Sequence, residues 1–245
     1  MAKLVVADFD GTLLPYGEKT VSEITVNKIK EILSKGAFFC VASGRTYSEL
    51  STLLSSVLDE LYFVCDDGAL TVKENKPIYR KQFSLSALES FFDDDIYKCA
   101  TFYSFDKAYI TGKIERPVLY GKTPQKVSRV FEIKDDIYKI TAYAKRFDIV
   151  SNNDFRVHYA DGYFTEFVPA YAHKGVALGQ LQLKLGVSKF DTYVIGDAGN
   201  DIPMVSHAKR SWVIGDDTRS INLKKISTDF ALNINEALDS IIDVL

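Results

Sequence analysis

The 245-residue sequence predicts an α/β fold in which a doubly wound parallel core sheet is interrupted by an inserted α+β unit. Short apolar strands alternate with amphipathic helices over residues 4–65, a pattern typical of parallel strands joined by right-handed crossovers. Residues 83–168 are instead rich in aromatic and charged side chains that alternate as in antiparallel strands. The strand–helix pattern resumes near residue 174. We therefore expect a core from residues 1–82 and 169–245, with an inserted domain from residues 83–168.

The first part of the core is predicted to contain three strands and two helices. Residues 20–23, Thr-Val-Ser-Glu, form a capping-box pattern ahead of an apolar helical stripe, and Gly36 stands where that helix should end. Residues 46–49, Thr-Tyr-Ser-Glu, form a second capping-box pattern before another helix. The strands are predicted at residues 4–9, 37–42 and 62–65. The first of them ends in acidic residues.

The inserted segment is predicted to be a largely antiparallel sheet. Polar and apolar residues alternate at 101–105 and 138–143, as in half-buried strands. Asp161-Gly162, between two further alternating runs at 155–160 and 163–168, predicts a β-hairpin. The remaining predicted elements are helices at 86–92, 123–131 and 174–185, the last closed by Gly186, and a strand at 192–195.

Composition narrows the class of partner. The formal net charge is -3, so the chain lacks the basic balance typical of proteins that bind nucleic acid or anionic membranes. Its apolar runs are far shorter than the roughly 20 residues needed to cross a bilayer. The three cysteines, Cys40, Cys65 and Cys99, are widely spaced in apolar surroundings, as in reduced cytoplasmic proteins. A small solute is the expected partner, in the cytoplasm.

Four groups of polar residues follow predicted strands or open a predicted helix. In open parallel sheets, ligands bind at this carboxyl edge. Each group alone is compatible with ordinary turn or surface residues. Together they predict one cleft in which the carboxylates of Asp8, Asp10, Asp197 and Asp201 repel one another and require a bound cation or protonation. The groups are Asp8-Phe9-Asp10-Gly11-Thr12, Ser43-Gly44-Arg45, Lys174 and Gly196-Asp197-Ala198-Gly199-Asn200-Asp201.

The donor atoms of this predicted cleft indicate which cation it holds. Oxygen ligands without clustered His or Cys favour Mg²⁺ over zinc. If Asp10 is protonated, three carboxylates, one Mg²⁺ and Lys174 have a formal charge sum of zero. A cleft of this kind can accept a phosphate dianion, which predicts a small phosphorylated metabolite as ligand.

These four groups resemble the four motifs of the haloacid dehalogenase (HAD) superfamily, in the same order. The motif spacing and the insertion between the second and third motifs are similar to the Cof-type branch of sugar-phosphate phosphatases. The resemblance covers the whole chain. It implies a Rossmann-like core, an inserted α+β cap of the C2B type and a requirement for Mg²⁺.

The resemblance also implies roles for the motif residues. Asp8 would be the nucleophile that forms an aspartyl phosphate, and Asp10 would act as general acid and then general base. Lys174 would offset charge on Asp8 and the phosphoryl group. The phosphate would be bound by Phe9, Gly11, Ser43, Gly44, Lys174 and Asn200, several of them through backbone N–H groups. The metal would be held by Asp8, the Asp10 carbonyl, Asp197 and, in a supporting or water-mediated role, Asp201.

Substrate contacts outside these motifs are less sharply indicated. Arg45 is as compatible with a surface ion pair as with a substrate contact. Asp67 replaces the Asn usual in this branch, and we expect the acid to alter the mouth of the site. In the cap, alternating aromatic and polar residues are also what a half-buried sheet requires. The cap residues expected to choose the leaving group are Tyr103, Arg156, His158 and Glu166.

Three other interpretations fit part of the pattern. A phosphomannomutase-like phosphotransferase would share the chemistry but return the phosphoryl group to a sugar. A receiver-type signalling domain also forms an aspartyl phosphate, but it is about half as long and lacks an insertion. A catalytically silent phosphate-binding protein is disfavoured because every expected catalytic residue is present. The sequence sets no oligomeric state beyond a monomer or a weak homodimer.

Overall fold

The structure is a computed structural model that describes residues 2–93, 99–114, 117, 119, 121–143, 151–160, 163–215 and 218–245. Within these residues the strands form two sheets, one of eight strands and one of six. No helix in the described part of the chain is both long and apolar enough to span a bilayer.

The strands are β1 (Leu4–Asp8), β2 (Phe38–Ala42), β3 (Tyr62–Cys65), β4 (Leu70–Lys73), β5 (Lys76–Arg80), β6 (Ala100–Tyr103), β7 (Lys107–Ile110), β8 (Thr123–Lys126), β9 (Lys139–Ala142), β10 (Phe155–Ala160), β11 (Thr165–Pro169), β12 (Thr192–Gly196), β13 (Arg210–Ile214) and β14 (Asp229–Ala231). The helices are α1 (Glu23–Ser34), α2 (Tyr47–Leu53), α3 (Leu85–Asp93), α4 (Lys174–Leu185), α5 (Ile202–Val205), α6 (Ile221–Lys224) and α7 (Ile234–Ile242).

The larger sheet has β1 at its centre and helices on both faces. Its strand order is β14-β13-β12-β1-β2-β3-β4-β5, parallel from β14 to β3 and antiparallel beyond. Alternate residues of a strand point to opposite faces, and both faces of β1 are apolar. Val5 and Ala7 belong to the cluster that contains α1 and α7, while Leu4 and Val6 belong to the cluster that contains α4. The predicted α/β fold with a doubly wound parallel core is confirmed.

The smaller sheet is formed between β5 and α4 in the chain. Its strand order is β10-β11-β9-β6-β7-β8, and all its pairs are antiparallel except β7 with β8. Phe91 of α3 packs against Phe102, Phe155 and Phe167 of the sheet and forms a separate aromatic core. The segment 83–168 that we propose as an inserted domain contains nearly all of these strands.

One predicted element is wrong, and the start of another is misplaced. Residues 123–131 are not a helix: β8 pairs with β7, and a 3₁₀ turn follows at Val130–Glu132. Pro124 lacks an N–H donor, which an edge strand such as β8 tolerates. The first helix begins at Glu23, and Ser22 rather than Thr20 is its N-cap, accepting a hydrogen bond from the Thr25 backbone N–H.

Other local predictions agree with the structure. The capping box of Thr46 and Glu49 is present, and Gly186 ends α4 with a left-handed backbone, φ 65°. Strands β10 and β11 pair as the predicted hairpin requires. Its turn, Asp161-Gly162, lies outside the described residues.

Candidate active site

A cavity of about 360 Å³ opens at the carboxyl ends of β1, β2 and β12. This is the edge at which ligands bind in open parallel sheets. The core side of the cavity is lined by Asp8, Asp10, Tyr16, Ser43, Gly44, Arg45, Glu49, Asp197, Ala198 and Asn200. The smaller sheet contributes Lys139, His158 and Glu166. Residues from both sheets therefore enclose one site.

Three buried carboxylates meet at the base of this cavity. Asp8 ends β1, Asp197 follows β12 directly, and Asp201 lies four residues further on. One ligand atom from each lies within 4.8 Å of those of the other two. Lys174, the first residue of α4, donates to Asp8 Oδ1 at 2.5 Å and to Asp201 Oδ1 at 2.7 Å. The sequence motifs from both ends of the chain thus converge on one point.

The electrostatics of this cluster are unbalanced. Burial raises the pKa of Asp8 well above its usual range, the charge of Asp201 raises it further, and Lys174 opposes both. Burial and Asp201 likewise raise the pKa of Asp197. Burial alone would lower the pKa of Lys174, but the charges of Asp201 and Asp8 raise it, so the amine stays protonated. Three carboxylates and one ammonium leave a formal charge of −2, which one divalent cation neutralises.

The donor set fits such a cation. All the convergent side chains of the cluster offer oxygen, as Mg²⁺ prefers. Asp201 already uses both oxygens: Oδ1 accepts from Lys174, and Oδ2 accepts the backbone N–H groups of Asp197 and Ala198 at 3.1 and 3.2 Å. Asp201 therefore orients the loop that carries Asp197, whereas Asp8 and Asp197 line the cavity.

The expected fourth carboxylate is not in this cluster. The Asp10 side chain lines the cavity but pairs with Arg45, whose Nε and Nη2 donate to both carboxylate oxygens at 2.7–3.1 Å. The Arg45 Nη1 atom also lies 3.7 Å from Glu49 Oε1. Asp10 thus lines the same cavity as Asp8 and Asp197, as predicted, but its side chain pairs with Arg45 and is not part of the buried three-carboxylate cluster. Charge neutrality with one divalent ion consequently does not depend on a proton on Asp10.

The loop after β2 brings the predicted phosphate-binding residues to the same cavity. Ser43 is buried, lines the cavity, and accepts the Arg45 backbone N–H at 3.1 Å. Gly44 has no room for a side chain, since a Cβ would lie 2.3 Å from His158 Nε2. Phe9 points its ring into the core, so it can serve a ligand only through its backbone. Asn200 is exposed at the cavity wall.

Lys139 also lines the cavity, although it belongs to none of the predicted motifs. It lies on β9 and is 2% exposed, yet its Nζ donates to Gly44 O at 3.0 Å and lies 3.1 Å from Glu166 Oε2. It thus links the smaller sheet to the predicted phosphate loop. The only sequence signal was a lysine within an apolar alternating strand, which by itself indicates a solvated residue.

Asp67 contacts a cavity residue without lining the cavity itself. It is 1% exposed and is absent from the described cavity lining. Its carboxylate instead binds Arg156 and lies 3.4 Å from His158 Nδ1, both on β10. Burial alone would raise the pKa of Asp67, but the hydrogen bond with His158 and the nearby positive charges lower it. Asp67 therefore ties the smaller sheet to the core.

The remaining predicted cap residues divide between the cavity and the sheet. His158 and Glu166 line the cavity. Tyr103 is 1% exposed and is not among the described lining residues, and Arg156 donates to Ala172 O and Asp67. Of the four cap candidates, the structure brings two to the site.

Asp66, beside Asp67, makes the stability of the fold depend on pH. Burial raises its pKa to about 6, although the charges of Lys139 and Lys122 oppose this, and among the described residues its Oδ1 has no hydrogen-bond partner. Because the carboxyl pKa is raised on folding, Asp66 contributes on the order of 3 kcal/mol to the free energy of unfolding below pH ~4. This contribution is lost as pH rises through about 6. In Asp66→Asn we expect a flatter free energy of unfolding between pH 4 and 6, measured by urea denaturation. Exposed Asp154→Asn is the matched control, and an unchanged slope in Asp66→Asn would contradict the assignment.

Comparison with known proteins agrees with this geometry. A family model described as haloacid dehalogenase-like hydrolase matches residues 5–245. The chain is 24% identical to 5-amino-6-(5-phospho-D-ribitylamino)uracil phosphatase YbjI of Escherichia coli K12, over 86% of this chain and 84% of the relative. It is 26% identical to an HMP-PP phosphatase of Yersinia pseudotuberculosis, over 88% and 84%.

Two solved structures have the same fold. A haloacid dehalogenase-like hydrolase from Bacteroides thetaiotaomicron superimposes with a TM-score of 0.80 at 18% identity, covering 98% of this chain and 100% of that one. The HAD subclass IIB sugar phosphatase BT4131 superimposes with a TM-score of 0.72 at 16% identity, covering 99% and 97%. At these identities the superpositions show the fold alone.

Proposed function

Because the chain belongs to the haloacid dehalogenase-like hydrolase family, we propose that it is a Mg²⁺-dependent phosphatase that hydrolyses small phosphate monoesters, with sugar phosphates as the first class to test. One observation carries the proposal: the carboxylates of Asp8, Asp197 and Asp201 and the ammonium of Lys174 meet at the base of a cavity on the carboxyl edge of the sheet. The two relatives named above are both phosphatases, which supports the same reaction class.

In the proposed reaction, Asp8 is the nucleophile. Its carboxylate attacks phosphorus and forms an aspartyl phosphate as the bond between phosphorus and the ester oxygen breaks. The ester oxygen takes its proton from Asp10, which then removes a proton from the water that hydrolyses the intermediate. Since Arg45 holds the Asp10 carboxylate, Asp10 has to separate from Arg45 and take up a proton from solvent before it can protonate the ester oxygen.

The other residues of the site balance charge and fix the phosphoryl group. Lys174 offsets negative charge on Asp8 and on the phosphoryl oxygens, and Ser43 with the backbone N–H groups near Phe9, Gly11 and Gly44 binds those oxygens. When bound, Mg²⁺ supplies further positive charge beside the same oxygens. It would be held by Asp8, Asp197 and the Asp10 carbonyl, with Asp201 in support.

The smaller sheet is proposed to contact the leaving group. Lys139, His158 and Glu166 face the cavity from its far side. Their mixed charges and hydrogen-bonding groups suit a polar, hydroxylated leaving group better than an apolar one. The expected ligand is a small phosphorylated metabolite, and a cytoplasmic location remains part of the proposal.

Release of inorganic phosphate tests the proposal. The purified chain is assayed with p-nitrophenyl phosphate and a panel of sugar, nucleotide and cofactor phosphates, with Mg²⁺ or with EDTA. We expect phosphate release with Mg²⁺, loss with EDTA, and recovery when Mg²⁺ is restored. Turnover that is indifferent to metal removal would contradict the metal-dependent mechanism. With a hexose bisphosphate, an isomerised monophosphate in place of free phosphate would show a mutase.

A further inference from the structure

Tyr16 reaches the acidic cluster from outside the four motifs. It follows the turn that begins at Gly11, and its hydroxyl donates to Asp197 Oδ2 at 2.9 Å. The residue lines the cavity while remaining 56% exposed. A large half-exposed aromatic residue at a polar cavity suggests a task beyond packing, because its burial contributes little to the core.

Two neighbours hold the ring in place. Gly11 has φ 85°, and a Cβ there would lie 2.4 Å from the Tyr16 ring and 2.3 Å from Asp197 Oδ2. The missing side chain of Gly11 therefore provides the space in which ring and carboxylate meet. The Arg219 guanidinium lies 3.8 Å from the ring centroid, in cation–π geometry. The ring thus contacts both the Gly11 turn and a cation.

We propose that Tyr16 is a positioning residue for the metal carboxylate Asp197. This inference rests on the proposed function, because it concerns the same Mg²⁺ site. The Tyr16 hydroxyl fixes one oxygen of Asp197 and leaves the other directed toward the metal. Fixing a ligand in advance lowers the entropy lost when the ion binds, and outer hydrogen bonds of this kind typically contribute a factor of about 10–100 to metal affinity.

Asp197 has its position fixed from two directions. Asp201 holds the backbone N–H of Asp197, while Tyr16 holds its side chain. Without the hydroxyl, the backbone of Asp197 would remain anchored but its carboxylate would be free to rotate. The expected effect is therefore on metal binding, with little effect on folding.

Tyr16→Phe tests this role because it removes the hydroxyl and keeps the ring. Mg²⁺ binding to the metal-free protein is measured by titration calorimetry, and the unfolding temperature in EDTA is measured in parallel. We expect the Kd for Mg²⁺ to rise about 10-fold while the unfolding temperature stays unchanged. Turnover of p-nitrophenyl phosphate should require more Mg²⁺ but recover when Mg²⁺ is saturating. Tyr171→Phe, at an exposed tyrosine outside the cavity, is the matched control.

Each other outcome overturns the inference. An unchanged Kd would show that Tyr16 does not position Asp197. A lower Kd would show that the Tyr16 hydroxyl competes with the metal for Asp197. A lower unfolding temperature without a change in Kd would assign it a purely structural role. If the unsubstituted protein itself fails to bind Mg²⁺, the metal site of the proposed function fails as well. If the unsubstituted protein binds Mg²⁺ and Tyr16→Phe binds it equally well, only the role of Tyr16 fails.

Discussion

Asp8→Asn is expected to lower phosphate release from p-nitrophenyl phosphate by at least about 10⁴-fold, because an amide cannot act as the nucleophile. The fold should survive. The Asn side-chain oxygen can still accept the hydrogen bond that Lys174 donates to Asp8. Removing one charge from a cluster with a formal charge of −2 also relieves repulsion, so the unfolding temperature in EDTA should not fall. Phosphate release and thermal unfolding of the two proteins check both expectations.

A second measurement follows the covalent step itself. Beryllium fluoride with Mg²⁺ forms a phosphoenzyme analogue, which ¹⁹F NMR detects, and we expect it with the unsubstituted protein and not with Asp8→Asn. The matched control is Asp59→Asn, which changes an exposed carboxylate and should leave turnover intact. Full turnover by Asp8→Asn would rule out the covalent mechanism.

Much of the core was predictable because its signals are local. The capping box at Thr46 and Glu49 and the left-handed Gly186 each depend on a few adjacent residues. The misplaced start of α1 shows where this stops. Thr25, which accompanies the Ser22 cap, is buried and donates to Asn235 Oδ1 at 3.1 Å, 210 residues away. Thr20 and Ser22 are both suitable N-caps by sequence, and the cap that the structure uses, Ser22, lies beside a contact with α7.

The site divides in the same way. Asp8, Asp197 and Lys174 were predictable because the carboxyl edge of a parallel sheet gathers whatever follows its strands. Tyr16 and Lys139 were not, because their contacts, Asp197 and Gly44, lie 181 and 95 residues away. Neither belongs to a motif. Asp10 was predicted just after the first strand, where it lies, but its pairing with Arg45 depended on side-chain directions that spacing does not specify.

Lys174→Met is expected to lower stability as well as activity. Lys174 is fully buried and its ammonium contacts two carboxylates, Asp8 and Asp201. Removing one partner from a buried ionic group leaves uncompensated charge, at a cost of about 3–5 kcal/mol. Phosphate release should fall at least about 10²-fold, because the phosphoryl group loses a nearby cation. Urea denaturation in EDTA measures the free energy of unfolding.

The pH dependence shows whether charge is the cause. Without Lys174, which opposes the rise, the folded-state pKa values of Asp8 and Asp197 rise further, so the folded protein binds more protons than the unfolded chain above pH ~4. Stability must then fall as pH rises, and Lys174→Met should lose more at pH 8 than at pH 5. Combining it with Asp8→Asn removes one of the unpaired charges and should restore part of the loss. The charge explanation would be contradicted by an equal loss of stability at both pH values with no recovery in the double variant. Lys174 would then stabilise the site through packing and not through its charge.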